Sequence, residues 1–284
     1  MMSVFERSFM LIVVLVSCTC ISAGFLRSLK HKSIFNKKQN SAASKRSSPS
    51  DVGPKLFFKG RPLKETVGVG HLDSLVLECQ AGGSPNPTIH WLKDGKPIDQ
   101  LQQTGADHED TVGQDGLPLL RLSSTKSRLT INCVTPADEG LYACVAETNY
   151  QRISQTTTVK LDDSSYNDLE ECVVKKALRG EPAKITMWTS TRMEFQKNNV
   201  QIYCRADGIP KPRVRWYDVS GKLIEDGRHY KIVDNGDLII KNIGWMNMGV
   251  YTCVADNANG SDKIETFLYP TFRDDDDEED STPV

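Results

Sequence analysis

Short runs of alternating apolar and polar residues fill most of the chain, separated by clusters of Pro, Gly, Asn and Asp. Leu75, Leu77 and Cys79 alternate in one run, Leu129 and Ile131 in another, Tyr142 and Cys144 in a third. The series then recurs as Val200, Ile202 and Cys204, Leu238 and Ile240, and Tyr251 and Cys253. Successive side chains of a strand point to opposite faces, so period two over short runs predicts antiparallel strands throughout. Both copies break after their first Cys at a Pro-rich turn, Gly83-Ser84-Pro85-Asn86-Pro87 and Gly208-Ile209-Pro210-Lys211-Pro212. Trp91 follows Cys79 by 12 residues and Trp216 follows Cys204 by 12; Trp to the second Cys is 53 residues in the first copy and 37 in the second.

The N-terminus has a different pattern. Arg7 precedes Phe9–Ile21, 13 residues that are almost all apolar, and Ser22, Ala23 and Gly24 follow. A basic start, a short apolar stretch and small residues at the exit predict a secretory signal peptide cleaved near Ala23. A membrane span needs about 20 apolar residues, and no later stretch supplies them. The expected product is secreted and extracellular.

Export changes how the cysteines read. Of eight Cys, Cys18 and Cys20 leave with the signal, and Cys79, Cys133, Cys144, Cys172, Cys204 and Cys253 remain. In an oxidising compartment an even count favours disulfides over metal thiolates, but six cysteines allow about 15 pairings and spacing alone does not choose.

With 284 residues, 38% hydrophobic and 25% charged, the chain has the length of two domains and the composition of a globular protein. A net charge of −2 gives no global attraction to nucleic acid. The five His residues are scattered, no Ser or Cys nucleophile motif is present, and no cofactor motif is found, so the expectation is a binding protein without enzymatic, cofactor or metal chemistry. Asp107, His108, Glu109 and Asp110 fall together on one loop, where sequential ligands without a partner His read as a solvated loop.

The order Cys…Trp…Tyr-x-Cys, present twice, resembles the immunoglobulin fold: an all-β chain of two tandem immunoglobulin-like (I-set-like) β-sandwich domains. The resemblance implies that Cys79 pairs with Cys144 and Cys204 with Cys253, that Trp91 and Trp216 pack on those cystines, and that Tyr142 and Tyr251 turn their hydroxyls back to the backbone. Gly140 and Gly249 fit the tight turn before each Tyr. Cys133 and Cys172 are then left over, and an intrachain bridge stapling the interdomain segment to the first sandwich is expected, with an intermolecular bridge or free thiols as alternatives. The predicted organisation is a signal peptide over 1–23, a basic disordered arm over 24–53, a sandwich over 54–161, an interdomain segment over 162–182, a second sandwich over 183–272 and an acidic tail over 273–284.

Asp234-Asn235-Gly236-Asp237, Trp245-Met246-Asn247-Met248-Gly249 and Phe267-Leu268-Tyr269-Pro270 are more specific. They look like the secreted two-immunoglobulin group of nematode zig ("zwei Ig") proteins and the insect ecdysone-inducible protein that binds insulin-like peptides. That resemblance implies extracellular recognition in nervous-system development or in keeping axons in position, with a neuronal surface protein as partner. Sequestration of an insulin-like peptide is the alternative, and homophilic adhesion a third. For the peptide, an apolar groove lined by Trp188, Trp245, Met246 and Met248 is expected. Trp245 and Met246 are candidate anchors for a partner, packing within their own turn being the other reading. Asn259-Gly260-Ser261 is a glycosylation signal in a hairpin turn. Seven Lys/Arg and no acid between Phe25 and Ser50 suggest that the arm holds a sulfated matrix sugar; the seven consecutive acids Asp274–Asp280 read as a solubilising tail.

Overall fold

Period-two alternation gives each repeat two sheets with apolar faces turned inward. The computed structural model describes residues 54–98, 112–113, 116–162 and 180–273, all within one compact unit that begins at Ser47. In the first repeat, one sheet contains β1 (Lys55–Phe58), β3 (Leu75–Ser84) and β6 (Leu122–Ile131). The facing sheet runs in the order β2 (Thr66–Gly70), β8 (Arg152–Asp162), β7 (Gly140–Glu147), β4 (Thr88–Lys93) and β5 (Lys96–Pro97). In the second repeat, β10 (Val200–Ile202), β14 (Leu238–Ile240) and β13 (Tyr230–Ile232) make one sheet. Opposite it lie β9 (Glu181–Phe195), β16 (Gly260–Thr271), β15 (Gly249–Asn257) and β12 (Arg213–Tyr217).

The two sandwiches are fused through strand β9. Its first half pairs antiparallel with β11 (Cys204–Ile209) and its second half pairs parallel with β16. Its other edge pairs antiparallel with β6 of the first repeat, from Leu122 opposite Met193 to Ser127 opposite Met187. A bare strand edge is a row of unpaired N–H and C=O groups. Strand β9 covers that edge of β6, and one sheet runs β1-β3-β6-β9-β16-β15-β12 across both repeats.

The cores follow this sharing. Leu75, Leu77, Ile89, Leu129, Val134 and Val159 pack in the first sandwich together with Met187 and Tyr203 from the second repeat. The Ile89 N–H donates to the Met187 sulfur at 3.4 Å. Trp188, the next residue, turns the other way into the second core with Ile185, Ile202, Leu238 and Leu268. Alternation along one strand therefore feeds two cores.

Candidate functional site

At the centre of each sandwich, inward-facing Cys residues on opposing sheets meet. Cys79 and Cys144 are bonded with Cα atoms 6.4 Å apart, and Cys204 and Cys253 with Cα atoms 6.6 Å apart. Trp91 and Trp216 are buried beside them. The Trp91 ring N–H donates to the Ser127 hydroxyl at 3.0 Å, and that of Trp216 to the Gly236 carbonyl at 2.8 Å. A buried indole N–H needs such a partner, which fixes ring orientation as well as burial.

The turns leading into β7 and β15 are the same device with different chemistry. The Tyr142 hydroxyl donates to the Asp138 carbonyl at 2.7 Å and that of Tyr251 to the Asn247 carbonyl at 3.2 Å. In the first turn, the Asp138 carboxylate accepts both the N–H and the hydroxyl of Thr135, at 2.9 and 2.8 Å. In the second, the Asn247 side-chain carbonyl accepts the Gly244 N–H at 2.9 Å, a bond without charge assistance. Gly140 has φ +144°, and a Cβ there would meet the Asp94 carboxylate at 2.7 Å. Burial, then the nearby charges of Asp138 and Asp94, pushes the Tyr142 phenol up to about 12; burial, reinforced by Tyr230, raises Tyr251 as well. These groups hold the fold and present nothing reactive.

An exposed apolar surface lies on the shared sheet. Register sets Leu122 of β6 opposite Met193 of β9, Met193 opposite Tyr269 of β16, and Phe267 of β16 opposite Val250 of β15. Directly opposed residues project to the same side, so an apolar face crosses four strands and both repeats. The rings of Phe267 and Tyr269 lie 6.5 Å apart. Trp245, on the 3-10 turn Trp245–Asn247, packs edge-on against Tyr269 at 5.9 Å and stacks on Phe272 at 5.9 Å. Trp245 nevertheless stays 48% exposed, and Met246 beside it is 89% exposed. Thus Trp245 both packs at the turn and extends the apolar face. Trp188 does not belong to this face, contrary to the sequence expectation. It is 7% exposed, in the second core, with the Arg128 guanidinium 5.3 Å over its ring.

Asn259 is exposed in the turn between β15 and β16, its amide donating to the Ile209 carbonyl at 2.6 Å. Cys133 is disulfide-bonded; Cys172, expected opposite it, lies outside the described residues, as do the basic arm, the acidic tail beyond Arg273 and Asp107–Asp110. Among the described residues no group of His, Cys, Asp and Glu could hold a metal ion.

Two buried ion pairs were not legible in the sequence. Arg205 reaches Asp237 at 3.0 Å, and Asp237 also accepts from Gln201 and the Cys204 N–H. Arg192 reaches Glu194 at 3.0 Å, both fully buried where the repeats meet. The carboxylate of Glu194 further accepts the backbone N–H groups of Leu120 and Arg121 at 2.8 Å each. Arg192 also donates to Asn86 of the first repeat. Alternation signals which face a residue takes, but not that a second domain will cover it.

A family model described as "Immunoglobulin domain" matches residues 60–148 and 182–257. The chain is similar to Zwei Ig domain protein zig-2 of Caenorhabditis elegans, 31% identical over 222 residues, covering 78% of this chain and 88% of the relative. Zig-4 of the same organism is 32% identical over 198 residues, covering 69% and 73%. Neural/ectodermal development factor IMP-L2 of Drosophila melanogaster is 27% identical over 221 residues, 78% of each. The crystal structure of IMP-L2 superposes with a TM-score of 0.58 at 23% identity, covering 78% of this chain and 96% of that one, which supports the fold.

Proposed function

Because the chain belongs to the immunoglobulin-domain family, and within it to the two-domain zig proteins, we propose that it is a secreted binding protein acting in nervous-system development or in the maintenance of axon position. Immunoglobulin domains of this kind recognise partners and do no covalent chemistry. The observation that carries the reading is the apolar face from Leu122 to Val250, with Trp245, Met246 and Phe272 at one end. Contiguous exposed apolar surface on a soluble protein marks an interaction site, and rigid aromatic rings bury much area for little lost entropy. The partner is a neuronal surface protein. Export is supported by the signal-like segment over 1–23; among the described residues no helix is long and apolar enough to cross a membrane.

One feature favours a second reading, sequestration of an insulin-like peptide. A row of apolar side chains crossing four strands suits the one-sided apolar stripe of an amphipathic helix. The test uses the purified full chain, stained onto dissociated neurons and titrated against an insulin-like peptide. The triple variant Trp245→Ser/Phe267→Ser/Phe272→Ser should lose at least about tenfold in binding, and its unfolding midpoint, lowered by the lost ring packing, is measured alongside so that binding is compared where both proteins are folded. Undiminished binding would remove this face from consideration. Micromolar or tighter binding of the peptide selects the second reading. Concentration-dependent dimerisation abolished by the same variant would select homophilic adhesion instead.

A further inference from the structure

We propose that the first sandwich carries a cleft for a sulfated polysaccharide, built from folded residues and separate from the basic N-terminal arm. The cleft, about 430 Å³, lies between the β1–β2 connection and the outer side of β3 and β6. Lys59, Arg61 and Lys64 line it from the connection and Lys126 from β6. Among the described residues, none of these four cations forms an ion pair. Lys59 lies over the Phe57 ring at 5.9 Å, a contact that leaves its charge available. Among the described residues the one acid lining the cleft, Glu78, is already engaged by Arg128 at 2.9 Å.

Four like charges lining one concavity repel one another and create a positive potential at the mouth. Between them the lining mixes exposed Pro62 and Val76 and half-buried Leu63 with the polar Gln80, while Leu77 and Trp188 close its base from the two cores. A charged rim over an apolar floor matches a chain of pyranose rings, which offers sulfates along its edges and C–H groups on its faces. Sulfate is permanently ionised and accepts charge-assisted bonds from Lys and Arg. Trp188 comes from the second repeat, so the cleft is completed by the union of the two sandwiches. Preferring a sugar over another polyanion rests on the extracellular reading above; the measurement below does not.

Heparin-affinity elution and titration with a heparin decasaccharide test this on the full secreted chain. The variant Lys59→Ala/Arg61→Ala/Lys64→Ala/Lys126→Ala should bind at least about tenfold more weakly at 0.15 M salt, with a shallower salt dependence, by about one log unit per log unit of salt for each cation removed. Glu78→Gln should bind more tightly, since it removes the acid from the lining while Arg128 stays held by Asp262. The control Lys211→Ala/Arg213→Ala/Lys222→Ala/Lys231→Ala, of equal charge change in the second repeat, should bind as the parent does. Equal affinity for parent and cleft variant overturns the proposal, as does binding abolished by deleting residues 25–50 alone. Desulfated heparin, polyglutamate or a single-stranded oligonucleotide binding as tightly as heparin also overturns it. An unchanged unfolding midpoint of the cleft variant excludes misfolding as the cause, and failure of export would be read separately in the culture medium.

Discussion

Replacing Glu194 by Gln should weaken the junction of the two repeats at a fully buried point. One carboxylate oxygen accepts from the Leu120 N–H at 2.8 Å, the Phe195 N–H at 2.9 Å and the Asn198 amide at 3.4 Å. The other accepts from the Arg121 N–H at 2.8 Å and from Arg192 at 3.0 Å. Every neighbour on both sides is a donor. The amide of Gln brings one more donor into this ring, so whichever way it turns at least two partners face N–H against N–H. Each buried donor left without an acceptor costs about 1–3 kcal/mol. Breaking a buried pair that leaves the other charge in place costs about 3–5 kcal/mol, and Arg192 is fully buried. The two routes agree on roughly 3–5 kcal/mol, a large share of the ~5–15 kcal/mol stability of an ordinary domain. Arg192→Met/Glu194→Leu sharpens the experiment. An isolated ion pair can often be replaced by apolar residues at no loss. Here the carboxylate also satisfies two backbone N–H groups of the first repeat, so the double variant should stay destabilised. The assay is urea unfolding of both variants, with amide exchange at Leu120 and Arg121 as the local readout. A loss below about 1 kcal/mol in E194Q, or full recovery in the double variant, would refute the reasoning.

Three further outcomes are expected. Tyr142→Phe leaves the Asp138 carbonyl without its 2.7 Å donor and should cost about 1 kcal/mol in chemical unfolding, more than Tyr251→Phe, whose bond is 3.2 Å. Because the folded Tyr142 pKa is raised to about 12 from 10.0, its contribution is complete below pH 10 and is lost as pH climbs from 10 toward 12; alkaline absorbance titration of the native protein should show this Tyr ionising late. Burial, with Arg152 and against the opposing pull of Glu147, lowers the His90 pKa, so the unfolded chain takes up the proton first. Stability should therefore fall as pH drops below 6.5 and level off below the folded pKa, and His90→Gln should flatten that part of the curve. Cys204→Ala/Cys253→Ala, removing a bridge across 49 residues, should cost about 2–5 kcal/mol, measured by denaturant titration against the parent.

Much of this architecture can be read from residue order. Alternation ending in Cys, a Trp 12 residues on and a Tyr two before the second Cys specify strands, faces and the resemblance to paired immunoglobulin sandwiches. Each is a local constraint: period two decides which side a residue takes, and a turn residue decides where the chain reverses. Tertiary structure decided where the two sandwiches join. Nothing in Thr186-Met187-Trp188-Thr189 announces that one strand edge will pair with β6, or that Met187 and Trp188 will enter different cores. Trp188 consequently leaves the apolar face on which the sequence placed it, while Leu122 and Met193 join that face across the junction. The same pairing buries Glu194 and Arg192 together. Backbone edges bond without regard to side-chain identity, so which edges meet depends on the whole fold. The sequence by itself determined two sandwiches and their cystine–indole centres; the shared sheet, its outer face and the buried charges at the seam exist only once both repeats are in place.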